Sequence, residues 1–446
     1  MATILMFNPF AMSNINMDSS EERSYWRWQL RLCKVFPDTE MHNAITDIAA
    51  LLASFFHGSD MVLSDVVAGL LLVAHSPHQK PPPESEDEPS NVIWMKLPES
   101  THEIKRIFDF ASAVYGWPIY LITHRGCIPW CRLCRNIIKC RKCRWDKELV
   151  IKDNCFMCNT AAFLLGTNTA KSDLVFVSFR NRLYQSPFIV LVDHKSSSII
   201  IAIRGSFSFT DVFTDLMLSD ATLGGSVDVD TDDVLFQDKS LDDDGENKRI
   251  LENLFAKNPD YKLVITGHSL GAGVASLLTL LYKKTYSFIR CYAFSPPGCV
   301  ISENGISDTE KHVLSIIIGD DVIPRTSYQS LLRLKLAIDR EIHSTNLPKY
   351  KILAQGLYRL LLKKPCNFVS NKIPSYIQHK YRGIEAESTR VQIRKLLHLN
   401  PKEGKVIASF IKHEFIKDIQ LTSSMLSDHM LMKVRKVLRK LDENNS

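Results

Sequence analysis

No stretch of this chain reaches the roughly 18 uncharged apolar residues that a membrane-spanning helix needs. The nearest candidates, Ile48 to Phe56 and Val66 to Ala74, are short and flanked by Asp47 and Asp65, so no span is expected. The N-terminal MATILMFNPFAM is apolar but has neither a basic n-region nor a long h-region, so no secretory signal is read there. Strong charge bias is also missing. A formal charge of +6 over 446 residues is too mild to argue for a nucleic-acid partner. No internal repeat is visible. What is present is an ordinary globular composition, 45% hydrophobic and 23% charged, long enough for one large domain with additions or for two to three domains. Eleven cysteines without a secretory signal suit reduced thiols, metal ligands or lipidation sites rather than a disulfide framework.

The most informative stretch is YKLVITGHSLGAGVASLLTLL, from Tyr261 to Leu281. A β-branched run, Leu263 to Thr266, leads into Gly267-His268-Ser269-Leu270-Gly271, and the apolar, helix-prone Ala272 to Leu281 follows. Strand, G-x-S-x-G and helix form the context of a nucleophile elbow. The glycines permit a sharp bend and close helix–strand packing. Ser269 would then open a helix, where backbone N–H groups favour a developing oxyanion. The bland alternative is an ordinary glycine-rich βα turn, and the flanking strand and helix argue against it.

Upstream, residues 18 to 75 read as helical, and SPHQKPPPESEDEPS (76–90) reads as a solvated linker. A second helical stretch, Ile104 to Thr123, leads to a cysteine-dense piece. There Cys131-x-x-Cys134, Cys140-x-x-Cys143 and Cys155-x-x-Cys158 follow one another, with Cys127 just before. Two such pairs can complete a tetrahedral zinc site. Eight Lys and Arg between Arg125 and Lys147, with Trp130 and Trp145, would also attract anionic lipid headgroups. Zinc site, lipidated or membrane-apposed patch, and plain cysteine-rich loop all remain open, and no His completes a known finger pattern.

From Leu174 onward the texture is α/β. Phe188 to Val192 and Ile199 to Arg204 read as strands joined by a polar turn. Residues 228 to 246 hold nine Asp or Glu but place Asp233 and Lys239 where a calcium loop needs Gly and Glu, so they read as a solvated acidic loop. Arg290 to Phe294 and Val313 to Ile318 are further strands, and Met425 to Leu441 reads as one basic amphipathic helix. Serine acyl transfer needs a base and a carboxylate that orients it. On an α/β-hydrolase sheet both follow the serine in the chain. Asp320 and Asp321 follow a strand, and His343, His379, His398, His413 and His429 come later. Residue types alone do not choose among them.

IIIAIRGSFSFTDVFTDL together with VITGHSLGAG resembles the class 3 lipases, more specifically the sn-1-specific diacylglycerol lipases. SDVVAGLLL, YGWPIYL, DNCFMCN, YAFSPPG, GDDVIPR and MLSDHM match the same pattern, from about residue 24 to the C-terminus. The resemblance implies an α/β-hydrolase fold with a helical, cysteine-rich N-terminal extension. It implies Ser269 as nucleophile, Asp321 as its carboxylate and His429 as base, with backbone N–H groups of Ser206 and Leu270 forming the oxyanion hole. It implies hydrolysis of the sn-1 ester of diacylglycerol to a 2-monoacylglycerol such as the endocannabinoid type, or, as an alternative, phospholipase A1 or general acylglycerol esterase activity. An inactive lipid-binding member is the reading outside enzymes, and an intact Ser, Asp and His argue against it. No cofactor is needed for this chemistry, although zinc at the cysteine pairs and calcium stimulation remain open. The family's four transmembrane helices lie ahead of the region that matches Ser24, and the stretch from Leu216 to Tyr261 is shorter here. Peripheral attachment to an anionic membrane, on the cytoplasmic face of the plasma membrane, is therefore expected. The implied organisation is a helical segment (1–75), a linker (76–95), a helical cysteine-rich segment (96–170) and a lipase domain (171–446) with a lid or regulatory insertion at about 335–410.

Overall fold

The β-branched runs become strands of one nine-stranded mixed sheet in the computed structural model of the chain. The structure describes residues 3–4, 55, 61–75, 101–124, 126–142, 150–179, 186–205, 221–222, 246–298, 300–302, 309–362, 390–391, 396–402, 405–411 and 413–445. The strands are β1 (Val150–Lys152), β2 (Leu174–Ser178), β3 (Phe188–Asp193), β4 (Ser198–Ile203), β5 (Lys262–His268), β6 (Ile289–Phe294), β7 (Val313–Ile318), β8 (Leu396–Lys402) and β9 (Lys405–Ile411). They lie side by side in chain order. From β4 to β8 every pairing is parallel, β3 is antiparallel to both neighbours, and β9 folds back on β8.

Parallel strands are usually buried on both faces, because crossover helices cover each side. Here that holds residue by residue. Ile200 and Ala202 of β4 pack on one side with Val264 of β5 and Phe294 of β6, while Ile199, Ile201 and Ile203 pack on the other with Ile265 and Ala293. Each fully buried aliphatic side chain of this kind contributes about 1.5–3 kcal/mol.

The described helices are α1 (Leu63–Val73), α2 (Thr101–Ala113), α3 (Trp117–Thr123), α4 (Cys127–Lys142), α5 (Cys158–Thr167), α6 (Glu246–Lys257), α7 (Leu270–Tyr282), α8 (Tyr328–Ser344), α9 (Lys349–Leu362), α10 (Met425–His429) and α11 (Leu431–Asn445). α6 and α7 cover one face of the sheet, and α2, α5 and α11 cover the other. Helices on both faces of a mainly parallel sheet give the expected α/β-hydrolase fold. None of the described helices is long and apolar enough to cross a membrane.

Three boundaries differ from the sequence reading. The segment 96–170 is not separate from the sheet. Its Ile107, Phe108 and Phe163 share one core with Val264 and Leu397, and β1 is an edge strand beside β2. The span 335–410 is not all insertion. β8 lies parallel to β7, with Ser315 opposite Leu396 and Ile318 opposite Leu399, so that part belongs to the sheet. What does stand outside it is α8 and α9, which pack with α1 through Ile338, Ile352, Ala68 and Val73. Lys349 also meets Asp65 of α1 at 2.5 Å. The linker 76–95, nearly all of the acidic loop and most of 1–60 lie outside the described residues.

The third difference lies at the C-terminal end. In place of one helix from Met425 to Leu441, the chain breaks at Met430, whose ψ is 133°. A continuous helix would have the N–H of Lys433 donate to the carbonyl of His429, four residues back. Instead that N–H donates to the Met430 carbonyl at 2.8 Å. The His429 carbonyl is thereby released for another partner, described next.

Candidate active site

The strand β5 and helix α7 meet at Ser269, whose backbone has φ 57° and ψ −130°. A non-glycine residue seldom holds a positive φ, and such strain persists only where the surroundings impose it. Here they do. A Cβ on Gly271 would stand 2.5 Å from the carbonyl oxygen of Ile203, and one on Gly267 would collide with the Gly271 carbonyl. Both glycines are therefore required for α7 to press against the end of β4. Ser269 ends up 2% exposed, held from the neighbouring strand by a bond from its N–H to the Phe294 carbonyl at 2.9 Å.

His429 comes to this serine from the far end of the chain. Its Nε2 lies 3.1 Å from Ser269 Oγ, and its Nδ1 lies 3.0 and 3.1 Å from the two carboxylate oxygens of Asp321. Asp321 is fully buried just after β7, where its Oδ1 also accepts the Ile323 N–H at 3.0 Å. Asp320, which residue types alone did not separate from it, points elsewhere and accepts from the Ser424 hydroxyl at 3.0 Å. Of the remaining histidines, His398 bonds the Gly319 carbonyl at 2.8 Å, and His343 bonds within its own helix. An acceptor on the serine hydroxyl and a carboxylate behind the imidazole are the parts a serine needs to become a nucleophile.

Leu270 opens α7, where the first N–H groups of a helix have no carbonyl within it to bond. Its placement suits an oxyanion donor. Ser206, the other expected donor, lies outside the described residues.

Two residues behind this line were missed in the sequence. His268 is buried between the His429 carbonyl, 3.0 Å from Nε2, and the Tyr115 hydroxyl, 3.1 Å from Nδ1. A carbonyl only accepts, so Nε2 of His268 carries the proton and Nδ1 accepts from Tyr115. Burial, and then the nearby His429, hold the pKa of His268 well below the usual histidine range, so the ring is neutral. Burial likewise raises the Tyr115 phenol. Asp428 is the second. Its Oδ2 accepts the Asp320 N–H at 3.0 Å, which ties α10 to the turn carrying Asp321. Both residues stand inside quoted motifs, and a polar side chain at the end of an apolar strand was the available signal for His268.

The described cysteines of these pairs, for which the sequence leaves three readings open, are spread over two helices and the turn before the second. α4 is a continuous helix, so it turns Cys140 into the core while Cys131 and Cys134 remain exposed. Cys155 is exposed and Cys158 half-buried at the start of α5, and Cys143 lies outside the described residues. Burial and the Asp153 carboxylate raise the Cys158 thiol. Among the described residues no group of three or more His, Cys, Asp or Glu is placed to hold a metal ion.

The family described as Lipase (class 3) matches residues 200–331. Diacylglycerol lipase-beta of Mus musculus is 33% identical over an alignment of 362 residues that covers 78% of this chain and 53% of that protein. Diacylglycerol lipase-alpha of Rattus norvegicus is 28% identical over an alignment of 375 residues that covers 75% of this chain and 35% of that protein. The chain thus spans about half or less of the length of these relatives. Among solved structures, the mono- and diacylglycerol lipase of Aspergillus oryzae aligns with a TM-score of 0.33 and 20% identity, over 51% of this chain and 74% of that one.

Proposed function

This chain belongs to the class 3 lipase family, and on that premise we propose that it is a serine lipase cleaving the sn-1 ester of membrane-borne diacylglycerol. The products are a free fatty acid and a 2-monoacylglycerol of the 2-arachidonoylglycerol type. The observation that carries the reading is the hydrogen-bonded line from Ser269 through His429 to Asp321 at the strained elbow. The relatives' names, diacylglycerol lipase in both cases, support the substrate class.

In this reading His429 Nε2 takes the Ser269 proton as Oγ attacks the sn-1 carbonyl, and Asp321 steadies the imidazolium that forms. The N–H groups of Leu270 and Ser206 hold the oxyanion. Collapse expels the glycerol oxygen, which takes the proton from His429 and leaves as 2-monoacylglycerol. Water, deprotonated by the same ring, then attacks the acyl-Ser269 ester, and the fatty acid departs. No cofactor takes part in these steps. The enzyme works at the cytoplasmic face of the plasma membrane.

The test has two stages. A fluorophosphonate should label the purified chain, and Ser269→Ala should abolish both labelling and ester turnover, by about 10⁴-fold or more, in a protein that still melts cooperatively. A diacylglycerol with distinguishable acyl chains should then lose the sn-1 chain. Turnover that survives in Ser269→Ala refutes the serine assignment. Equal release from both positions refutes the sn-1 choice, and preferred release from sn-1 of a phospholipid favours phospholipase A1.

A further inference from the structure

A lipase must reach a substrate that does not leave the bilayer, and one helix is built for that contact. The inward side of α4 is fixed: Leu133 and Cys140 are buried, and Asn136 Nδ2 donates to the Ala161 carbonyl of α5 at 3.1 Å. Its outward side cannot serve the core. Cys127, Cys131, Cys134 and Ile138 recur at helical spacing and form one exposed stripe, with Ile128 and Trp130 flanking it at 67% and 53% exposure. The exposed Phe156, in the turn before α5, extends this surface, and the guanidinium of Arg141 sits 5.3 Å from its ring centre.

The charge beside this stripe has one sign. Arg132, Arg135, Lys139, Arg141 and Lys142 are all exposed, and from Cys127 to Lys142 there is no acidic residue. An exposed apolar stripe flanked by cations on long stems matches a helix lying in the headgroup layer, with apolar groups toward the acyl chains and Lys and Arg reaching up to phosphates. Each cation near an anionic leaflet adds up to about 1 kcal/mol. A second copy of the chain fits poorly, because two such helices would set cation against cation. The position suits the chemistry too. α3, whose Trp117 and Ile122 are exposed, begins two residues after Tyr115, and the Tyr115 hydroxyl touches His268 beside Ser269.

We propose that the outward face of α4, continued by Trp117 and Phe156, is a docking surface for an anionic bilayer that seats the Ser269 side of the molecule on the membrane. The proposal rests on the lipase reading for its purpose but not for its test. Flotation of the full chain is measured with phosphatidylcholine vesicles with and without phosphatidylserine, at low and high salt. Binding is expected only with phosphatidylserine, and it should weaken as salt screens the cations. Trp130→Glu with Ile138→Glu should weaken binding by at least about tenfold at either salt, since burial of two large apolar side chains is lost. Arg132→Glu with Arg135→Glu and Lys139→Glu should remove the salt dependence. All these side chains are exposed, so thermal melting should be unchanged in both variants, and brominated acyl chains should quench tryptophan emission more strongly while Trp130 is present.

No flotation at low salt overturns the proposal, as does undiminished binding by the Trp130→Glu, Ile138→Glu protein. A dimer in solution that the same pair of changes dissociates would give the face to a second copy. Cleavage of a water-soluble short-chain ester by the unaltered chain is read alongside. Ester cleavage without flotation overturns the docking face alone, and flotation without ester cleavage overturns the lipase reading alone.

Discussion

The two faces of the sheet are closed by opposite means. On one side lie α6 and α7, drawn from residues adjacent in sequence to the strands they cover, and that core runs only from Phe176 to Val313. On the other side lie α2 and α5 from ahead of the main strands and α11 from the chain's end, so that core joins Ile104 to Leu441. Polar contacts mark the same long reach. Lys105 meets Asp442 at 2.7 Å, Arg435 meets the Ser112 hydroxyl at 3.2 Å, and the Tyr292 hydroxyl meets Glu103 at 3.1 Å. The local side supplies Ser269 through its elbow. The far-reaching side supplies His429, the neighbour of α11. The serine is therefore set by one short stretch, whereas the histidine beside it borders a core that joins residues from Ile104 to Leu441.

The sharpest break of this comparison is at the carboxylate. Asp321→Asn should lower kcat on a soluble ester by about 10⁴-fold, because the amide leaves His429 in the wrong tautomer or unsupported. Asp320→Asn, which touches Ser424 rather than the histidine, should cost less than about tenfold. Steady-state kinetics on the two variants gives the ranking, and the reverse order would show that the buried carboxylate at 321 is structural only.

This contrast also explains how much could be read from the residues. The elbow was legible because everything it needs lies within twenty residues: the β-branched run, two glycines and an apolar helix. The strands β3 to β7 were legible for the same reason, each being a short apolar run between polar turns. His429 was one of five candidates until the resemblance chose it, since nothing local marks a base brought in over a hundred residues. The break at Met430 was invisible, because the partner that takes up the His429 carbonyl, His268, lies 161 positions away. The cysteine segment reads as helical in the sequence and is helical, but the choice among its open readings needed the structure. Cys-x-x-Cys spacing suggests chelation, yet on a helix it places Cys140 in the core and the other thiols outside.

A smaller effect separates the faces by pH. His268 belongs to the far-reaching side and is held neutral by burial, its folded pKa lying well below the ordinary value near 6.5. Above that value neither the folded nor the unfolded chain protonates this ring, and it has no effect on the pH slope. As pH falls through about 6.5 the unfolded chain binds a proton that the folded one refuses, so stability declines by up to about 1.4 kcal/mol per pH unit from this group. Urea unfolding between pH 7 and pH 5 should show the decline, and His268→Gln should flatten it by that increment even if it is less stable throughout. An unchanged slope in His268→Gln would mean that the native ring accepts a proton where it lies.

The least perturbing change addresses a contact that ties the N-terminal helices to the reacting groups. Tyr115 follows α2, and its ring packs edge-on against His268 with centroids 5.9 Å apart, while its hydroxyl donates to Nδ1. Tyr115→Phe keeps the ring and its packing and deletes only the hydroxyl. It leaves Nδ1 of His268 a buried acceptor without that donor, a loss of about 1–3 kcal/mol for a neutral group. Part of that loss can be recovered if the ring tilts, and a tilt moves Nε2 away from the His429 carbonyl and so shifts the base relative to Ser269. kcat on a soluble ester should therefore fall about three- to tenfold with KM nearly unchanged, alongside a small drop in melting temperature. A melting change with kcat intact would show that the two faces are joined at this point by packing alone, and that His429 takes its position from Asp321 without help from the helices ahead of the sheet.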